Sequence, residues 1–200
     1  MAEEKRKKID EIELDWKKNL VLYLHDLSYL LVCVIVIFLL LFRVIVVSGD
    51  SMYSTLLDGD YLLLTSNLFY HNPEKGDIVV VSKDSFDNGT PIVKRVIATE
   101  GQVVDIDFDN GIVYVDGKAL EEDYTNTPTN AQEGMTFPLL VQDGCVFVMG
   151  DNRNNSRDSR DPSIGQVDTR EILGKAFFLM MPGTDGGMLP RNFDRIGAIK

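Results

Sequence analysis

Histidine is scarce in this chain, which holds only His25 and His71. A histidine-rich metal site is excluded, and a Ser-His-Asp triad would have to rest on one of that pair. Cysteine is equally scarce. Cys33 and Cys145 belong to no C-x-x-C pair, so zinc and redox motifs are absent. Both sit in apolar or strand-like runs and read as small buried hydrophobes. Basic charge is short as well, with 20 Lys+Arg against 31 Asp+Glu for a net charge of −11. Residues 1–47 are balanced, and residues 48–200 carry the whole deficit. An acidic body repels the phosphate backbone that supplies most nucleic-acid affinity, which argues against DNA or RNA as a partner. Internal repeats and low-complexity tracts are missing. What is present, 200 residues with 44% hydrophobic and 26% charged side chains, fits one core-burying domain with at most a small appendage.

One long apolar run stands out. Leu27 to Val47 reads LSYLLVCVIVIFLLLFRVIVV, 21 residues with a single charge, Arg43. A helix of that length spans roughly 30 Å, the thickness of a bilayer core. Arg43, near its end, can snorkel to the headgroups. Lys5, Arg6, Lys7, Lys8, Lys17 and Lys18 precede the run, and after Arg43 the next basic residue is Lys75. The positive-inside rule then predicts a single-pass cell-membrane protein with its N-terminus in the cytoplasm. The expected organisation is a cytoplasmic segment at 1–26, an anchor in membrane lipid at 27–47 and an extracytoplasmic domain at 48–200. Two other readings compete. A buried core helix is one, though the run is long for it. A cleaved signal peptide is the other: Val47-Ser48-Gly49 offers small residues before Asp50, but the run exceeds the usual apolar length of about 7–15.

Beyond the run the period is that of strands. Candidates are Tyr61–Thr65, Asp77–Ser82, Ile92–Ala98, Val103–Phe108, Ile112–Val115, Gly144–Met149 and Ile172–Met181. Asp58-Gly59, Asn88-Gly89, Asn110-Gly111 and Asp143-Gly144 mark turns between them. The predicted fold class is mainly β, behind one N-terminal transmembrane helix. Residues 116–143 read as an irregular excursion, within an inserted β/loop subregion at about 103–144.

Three segments carry candidate chemistry. Ser48-Gly49-Asp50-Ser51-Met52-Tyr53-Ser54-Thr55-Leu56 follows the apolar run directly. Small residues around Ser51 leave backbone N–H groups accessible, as an oxyanion site requires. A plain linker is the alternative. Pro91-Ile92-Val93-Lys94-Arg95-Val96-Ile97-Ala98 alternates so that Lys94 shares a face with Ile92 and Val96. Burial there would lower the lysine's pKa and free its amine as a base. The alternative is an edge lysine that blocks aggregation. Gly150-Asp151-Asn152-Arg153-Asn154-Asn155-Ser156-Arg157-Asp158-Ser159-Arg160 holds no apolar side chain. It could be a polar surface loop. As a calcium loop it fails at its third position, Arg153, and no metal or other cofactor is expected.

Taken together and in this order, the segments resemble the bacterial type I signal peptidases. That family has an S-M-x-P-T-L segment, a K-R-V strand and a G-D-N-R-x-N-S-x-D-S-R loop. The matching residues are Ser51-Met52-Tyr53-Ser54-Thr55-Leu56, Lys94-Arg95-Val96 and Gly150 through Arg160, with Gly76-Asp77-Ile78-Val79 matching a further G-D-I/V-V segment. The resemblance covers Arg43 to about Lys175. It implies a membrane-bound serine endopeptidase that removes signal peptides from secretory preproteins with small residues at the cleavage site. Ser51 would be the nucleophile and Lys94 its base. Ser156 would hold the lysine amine. Asp151 and Asp158, with Arg95, Arg153 and Arg160, would fix the loop by charge. Gly49, Asp50 and Met52 would form the substrate-binding and oxyanion surroundings, with the Ser51 N–H as one donor.

Two departures from the family pattern stand out. Some members carry a serine at the position of Gly49 whose hydroxyl is the second oxyanion donor. Ser54 replaces the usual proline, which implies a looser loop. Rival functions are a self-cleaving Ser–Lys regulator and a non-catalytic peptidase-like binding module. The chain's anchor and acidic body oppose the first, and the presence of Ser51, Lys94 and Ser156 opposes the second. The expected topology has a direct test. Protease added to intact spheroplasts should digest residues 48–200 and spare 1–26; a protected outer domain would overturn the orientation.

Overall fold

A computed structural model describes residues 1–188 and 190–199, with backbone alone for residues 2, 3 and 7–14. The chain forms two units, residues 1–41 and 42–200. The first is a single helix, α1 (Ala2–Leu41), whose sequence contains neither glycine nor proline. Its Asp15–Leu41 stretch of 27 residues is long and apolar enough to cross a membrane. Cys33 lies within this stretch, and Cys145 is half-buried in the second unit, less buried than expected.

The apolar run does not stay helical to Val47. Phe42–Val46 is a strand, β1, paired antiparallel with β2 (Tyr61–Ser66) from Phe42↔Thr65 to Val46↔Tyr61. The helix thus stops at Leu41, six residues before the expected boundary, and Arg43 lies in a sheet. Val44, Ile45 and Val46 are β-branched and lose side-chain freedom in a helix, while β2 offers them a partner. Uniform apolarity carries no period, so the run itself gave no sign of this stop.

The second unit is all antiparallel β. Its further strands are β3 (Ile78–Val81), β4 (Ile92–Thr99), β5 (Val103–Asp107), β6 (Ile112–Val115), β7 (Lys118–Ala119), β8 (Leu139–Leu140), β9 (Cys145–Met149), β10 (Val167–Asp168), β11 (Ile172–Met181) and β12 (Gly197–Ala198). The larger sheet runs β1-β2-β11-β3-β4-β9-β10, with β12 on β11, and the smaller runs β7-β6-β5-β8. Every strand expected from sequence is present. The two-residue strands β7, β8, β10 and β12 were not foreseen, being too short to show a period.

β3 lies mid-sheet and is buried at all four positions. Ile78 and Val80 pack with Met52, Leu56, Leu62, Leu64 and Val93. Val79 and Val81 pack on a second cluster with Val96, Val148, Ile164 and Ile172. A third cluster, with Ile97, Val104, Val113 and Phe147, fastens the smaller sheet to β4 and β9. Each such side chain contributes about 1.5–3 kcal/mol by leaving water. β11 approaches β2 so closely at Gly174 that a Cβ there would sit 2.1 Å from the Thr65 carbonyl oxygen. Gly174→Ala should therefore cost about 1–3 kcal/mol in chemical denaturation. Unchanged stability would show that the two strands can separate freely at this point.

Candidate active site

The loop from Ser48 to Asp60 leaves the end of β1 and is held from below. Val47 donates to Asp60 O at 2.8 Å and accepts from Gly59 N at 2.9 Å. Val47, Met52 and Leu56 are driven into the core beneath the loop. The Asp60 carboxylate is fully buried and accepts from Leu57 N at 2.8 Å, Gly183 N at 2.6 Å and the Arg195 guanidinium at 2.6 and 2.9 Å. Arg195 also reaches the Thr55 carbonyl at 3.2 Å. Above, the loop is tied to the polar Gly150–Arg160 segment. Asn152 donates from its backbone to Ser51 O and from its side chain to Asp50 O, both at 3.0 Å. Gly150 allows this approach, since a Cβ there would lie 2.4 Å from Ser51 O and 2.2 Å from Ser156 Oγ.

These restraints bring Ser51 to Lys94. Lys94 stands on β4 opposite Val79, and its Nζ lies 2.7 Å from Ser51 Oγ and 3.0 Å from Val93 O. It is 2% exposed. Burial pushes its pKa down to about 8, against the opposing pull of Asp158, Glu133 and Asp151. The edge-lysine alternative is thereby set aside. Beside the pair opens a cleft of about 390 Å³ lined by Ile45, Val47, Ser48, Ile92 and Val93 together with Ser51 and Lys94.

A shell of buried ion pairs surrounds the pair. Arg95 grips Asp151 with two bonds at 2.7 and 2.8 Å and lies over the Tyr124 ring at 4.1 Å. Asp151 also accepts from Thr55 Oγ1 at 2.6 Å, which joins the lysine strand to the serine loop. Arg160 binds Asp158 through two bonds at 2.8 Å. Arg153 pairs with Glu122 and donates to Gly150 O at 3.1 Å. Glu133 accepts from Asp158 N and approaches Arg160, both at 3.2 Å. Burial and the adjacent Asp158 charge push the Glu133 carboxyl up to about 7.

Most of the residues singled out from sequence converge here, with two corrections. The Ser156 hydroxyl does not bond Lys94; it donates to Asp158 Oδ2 at 2.9 Å, while the lysine amine donates to Ser51 Oγ and Val93 O. Met52 cannot present its side chain to a substrate, because that side chain is 1% exposed in the core. Asp50 is exposed, and Gly49 has a positive φ of 83° with open space where a side chain would be. Ser48, which makes no side-chain bond among the described residues, shares the cleft with Ser51. Ser54 does not leave its loop unrestrained, since it donates to Asn126 at 3.2 Å. His25 and His71 lie outside this constellation. Sequence reasoning missed Glu122, Tyr124, Thr129 and Glu133 of the excursion, as well as Asp60 and Arg195. One signal was available: the three motif arginines to be buried, Arg95, Arg153 and Arg160, outnumber Asp151 and Asp158, so a further carboxylate was required from elsewhere.

A serine hydroxyl against a buried, weakly basic amine has the chemistry of a serine hydrolase in which lysine takes histidine's part. Comparison with known proteins agrees with that class. The sequence model of the family described as signal peptidase, peptidase S26, matches residues 20–181. "Probable signal peptidase I-1" of Synechocystis sp. is 40% identical over 151 residues, covering 72% of this chain and 73% of that protein. "Signal peptidase I S" of Bacillus subtilis is 33% identical over 178 residues, covering 84% and 89%. A crystal structure of a signal peptidase I from Enterococcus faecalis aligns with a TM-score of 0.42 at 30% identity, covering 52% of this chain and 96% of that one. The chain belongs to the signal peptidase family, peptidase S26.

Lys94 burial leaves a signature in stability. The folded lysine loses its proton near pH 8 and the unfolded one near 10.5. The charge-burial cost is complete below pH 8, fades between 8 and 10.5, and is absent above. Lys94→Met is expected to gain thermal stability relative to the native chain below pH 8, and that gain should shrink toward pH 10.5. A difference in melting temperature that does not vary with pH would show that the buried amine carries no such cost.

Proposed function

We propose that this chain is a membrane-bound serine endopeptidase that removes signal peptides from secreted precursors through a Ser51–Lys94 pair. The carrying observation is the 2.7 Å contact between Lys94 Nζ and Ser51 Oγ, with the lysine's pKa lowered to about 8. At pH 7 such an amine is neutral in roughly one molecule in ten, against roughly one in three thousand for a free lysine.

The reaction is acyl transfer. A precursor enters the cleft as an extended strand beside β1, an edge strand of the larger sheet, and the Gly49–Ser51 segment that continues it. Side chains one and three residues before the cut are small, since Val47, Ile92 and Val93 crowd the cleft. Neutral Lys94 takes the Ser51 proton as Oγ bonds to the scissile carbonyl carbon. The Ser51 N–H, which has no intramolecular acceptor among the described residues, faces the developing oxyanion. The lysine ammonium then protonates the departing amine of the mature protein. The signal peptide is left as an ester on Ser51, and a water that gives its proton to Lys94 hydrolyses it. The helix α1 anchors the enzyme in the membrane with its N-terminus in the cytoplasm and residues 42–200 outside, near where precursors emerge.

Purified full-length protein should cleave a precursor with alanine at the cut site. Its kcat/KM should rise with pH to half its maximum near 8. Ser51→Ala and Lys94→Met should each lose at least about a thousandfold with the fold intact. Lys94→Arg should be equally inactive, because guanidinium stays protonated. Native-like cleavage by folded Lys94→Met would end this reading.

A further inference from the structure

The charges around Ser51 and Lys94 do not cancel pair by pair. Arg95 neutralises Asp151, and Arg153 neutralises Glu122. Arg160 is engaged on both Nε and Nη2 by Asp158, and its Nη2 must also serve Glu133. Three guanidinium groups thus meet four carboxylates, and Glu133 is the one without a cation of its own among the described residues. Its other charged neighbours do not help: Asp161 is acidic and is taken up by Arg157 at 2.9 Å. The group that can supply the missing positive charge is Lys94, whose charged form is favoured by Asp158, Glu133 and Asp151 and opposed by Arg160. Glu133 is tied directly to the loop that touches the pair. It accepts from Asp158 N, and the Asp158 carboxylate in turn takes Gly150 N and Ser156 Oγ, both at 2.9 Å, beneath Ser51. Nothing in the motifs that carry the family resemblance contains Glu133.

We propose that Glu133 is a positioning residue for this reaction: its carboxylate is the distant counter-charge of Lys94, and the two groups titrate as one linked pair. This rests on the Ser51–Lys94 reading. When Lys94 takes the Ser51 proton, the ammonium forms in a shell that holds one excess negative charge, so the step places no uncompensated positive charge in the interior. Before that, an ionised Glu133 favours the protonated lysine and raises the pH at which the base is free. A proton on Glu133 has the opposite effect. The midpoints near 7 and 8 lie close enough for the two titrations to overlap. The excursion at 116–143 therefore bears on the chemistry although it holds no reacting group.

The variant Glu133→Gln keeps an oxygen to accept from Asp158 N and removes the charge. Its kcat/KM profile on a precursor peptide should rise at a pH lower by roughly 0.5–1.5 units. Its plateau above pH 9 should fall roughly threefold, because the freed amine is a weaker base. Glu133→Asp, which keeps the charge, should restore a limb close to the native one. A merely structural role would scale the profile and leave its midpoint in place, so a Glu133→Gln midpoint equal to the native one overturns the proposal. Should Glu133→Gln fail to fold, linkage supplies the same decision without activity. The Glu133 side-chain carboxyl, followed by carbon NMR, should titrate at higher pH in Lys94→Met than in the native chain, and equal midpoints overturn it. Native-like cleavage by Lys94→Met would instead remove the Ser51–Lys94 reading itself, a separate result.

Discussion

In the proposed reaction the lysine amine acts as a base, so it has to be kept out of water and yet within 2.7 Å of a serine on a separate loop. Those two demands conflict. Strands exclude water well, but a serine that must meet a substrate sits on an exposed turn. The structure meets both by anchoring the turn from two sides. Met52 and Leu56 sink into the core on either side of Tyr53, and Asp60 with Arg195 fastens the turn's end to the C-terminal segment. Asn152 grips the carbonyls of Asp50 and Ser51 from the other side. Asp151 then spans the two halves of the site, holding Thr55 and Arg95 with one carboxylate.

The price of this arrangement is a charge-dense interior. Arg153, Arg160, Asp151 and Asp158 are all fully buried. Burying paired charges gives little net stability, whereas removing one partner strands the other and costs several kcal/mol. The shell therefore serves geometry more than stability. It also explains the excursion at 116–143. That segment has little regular structure, yet Glu122 completes Arg153, Tyr124 covers Arg95, and Ala131 and Glu133 cap Arg160. The Gly150–Arg160 loop carries more guanidinium than its own aspartates can neutralise, and the excursion supplies the difference.

Much was legible without coordinates. The choice of Ser51, Lys94 and the loop's aspartates and arginines as site residues rests on the resemblance of three segments to a family, whereas the alternation of seven of the eight longer strands and the glycine turns follows from local pattern and residue type. So does the existence of one long apolar helix. Uniform apolarity did not reveal where that helix stops: Phe42 to Val46 reads equally as helix or strand, and only the presence of β2 decides for β1. Ser54 shows the same limit in miniature. The lost proline implied a loose turn, but Asn126, 72 residues away, restrains it. Glu133, Glu122 and Asp60 looked like ordinary surface acids, since nothing in their neighbours along the chain says that an arginine waits across the fold. What the sequence determined by itself is what neighbouring residues impose on one another, namely period, turns and available chemistry. Which distant carboxylate meets which buried cation depends on chain segments 27 to 135 residues apart, as the Glu133–Arg160, Glu122–Arg153 and Asp60–Arg195 contacts illustrate. Only the folded sheet brings such segments together, because a charge is pulled into the interior only once its partner is already there.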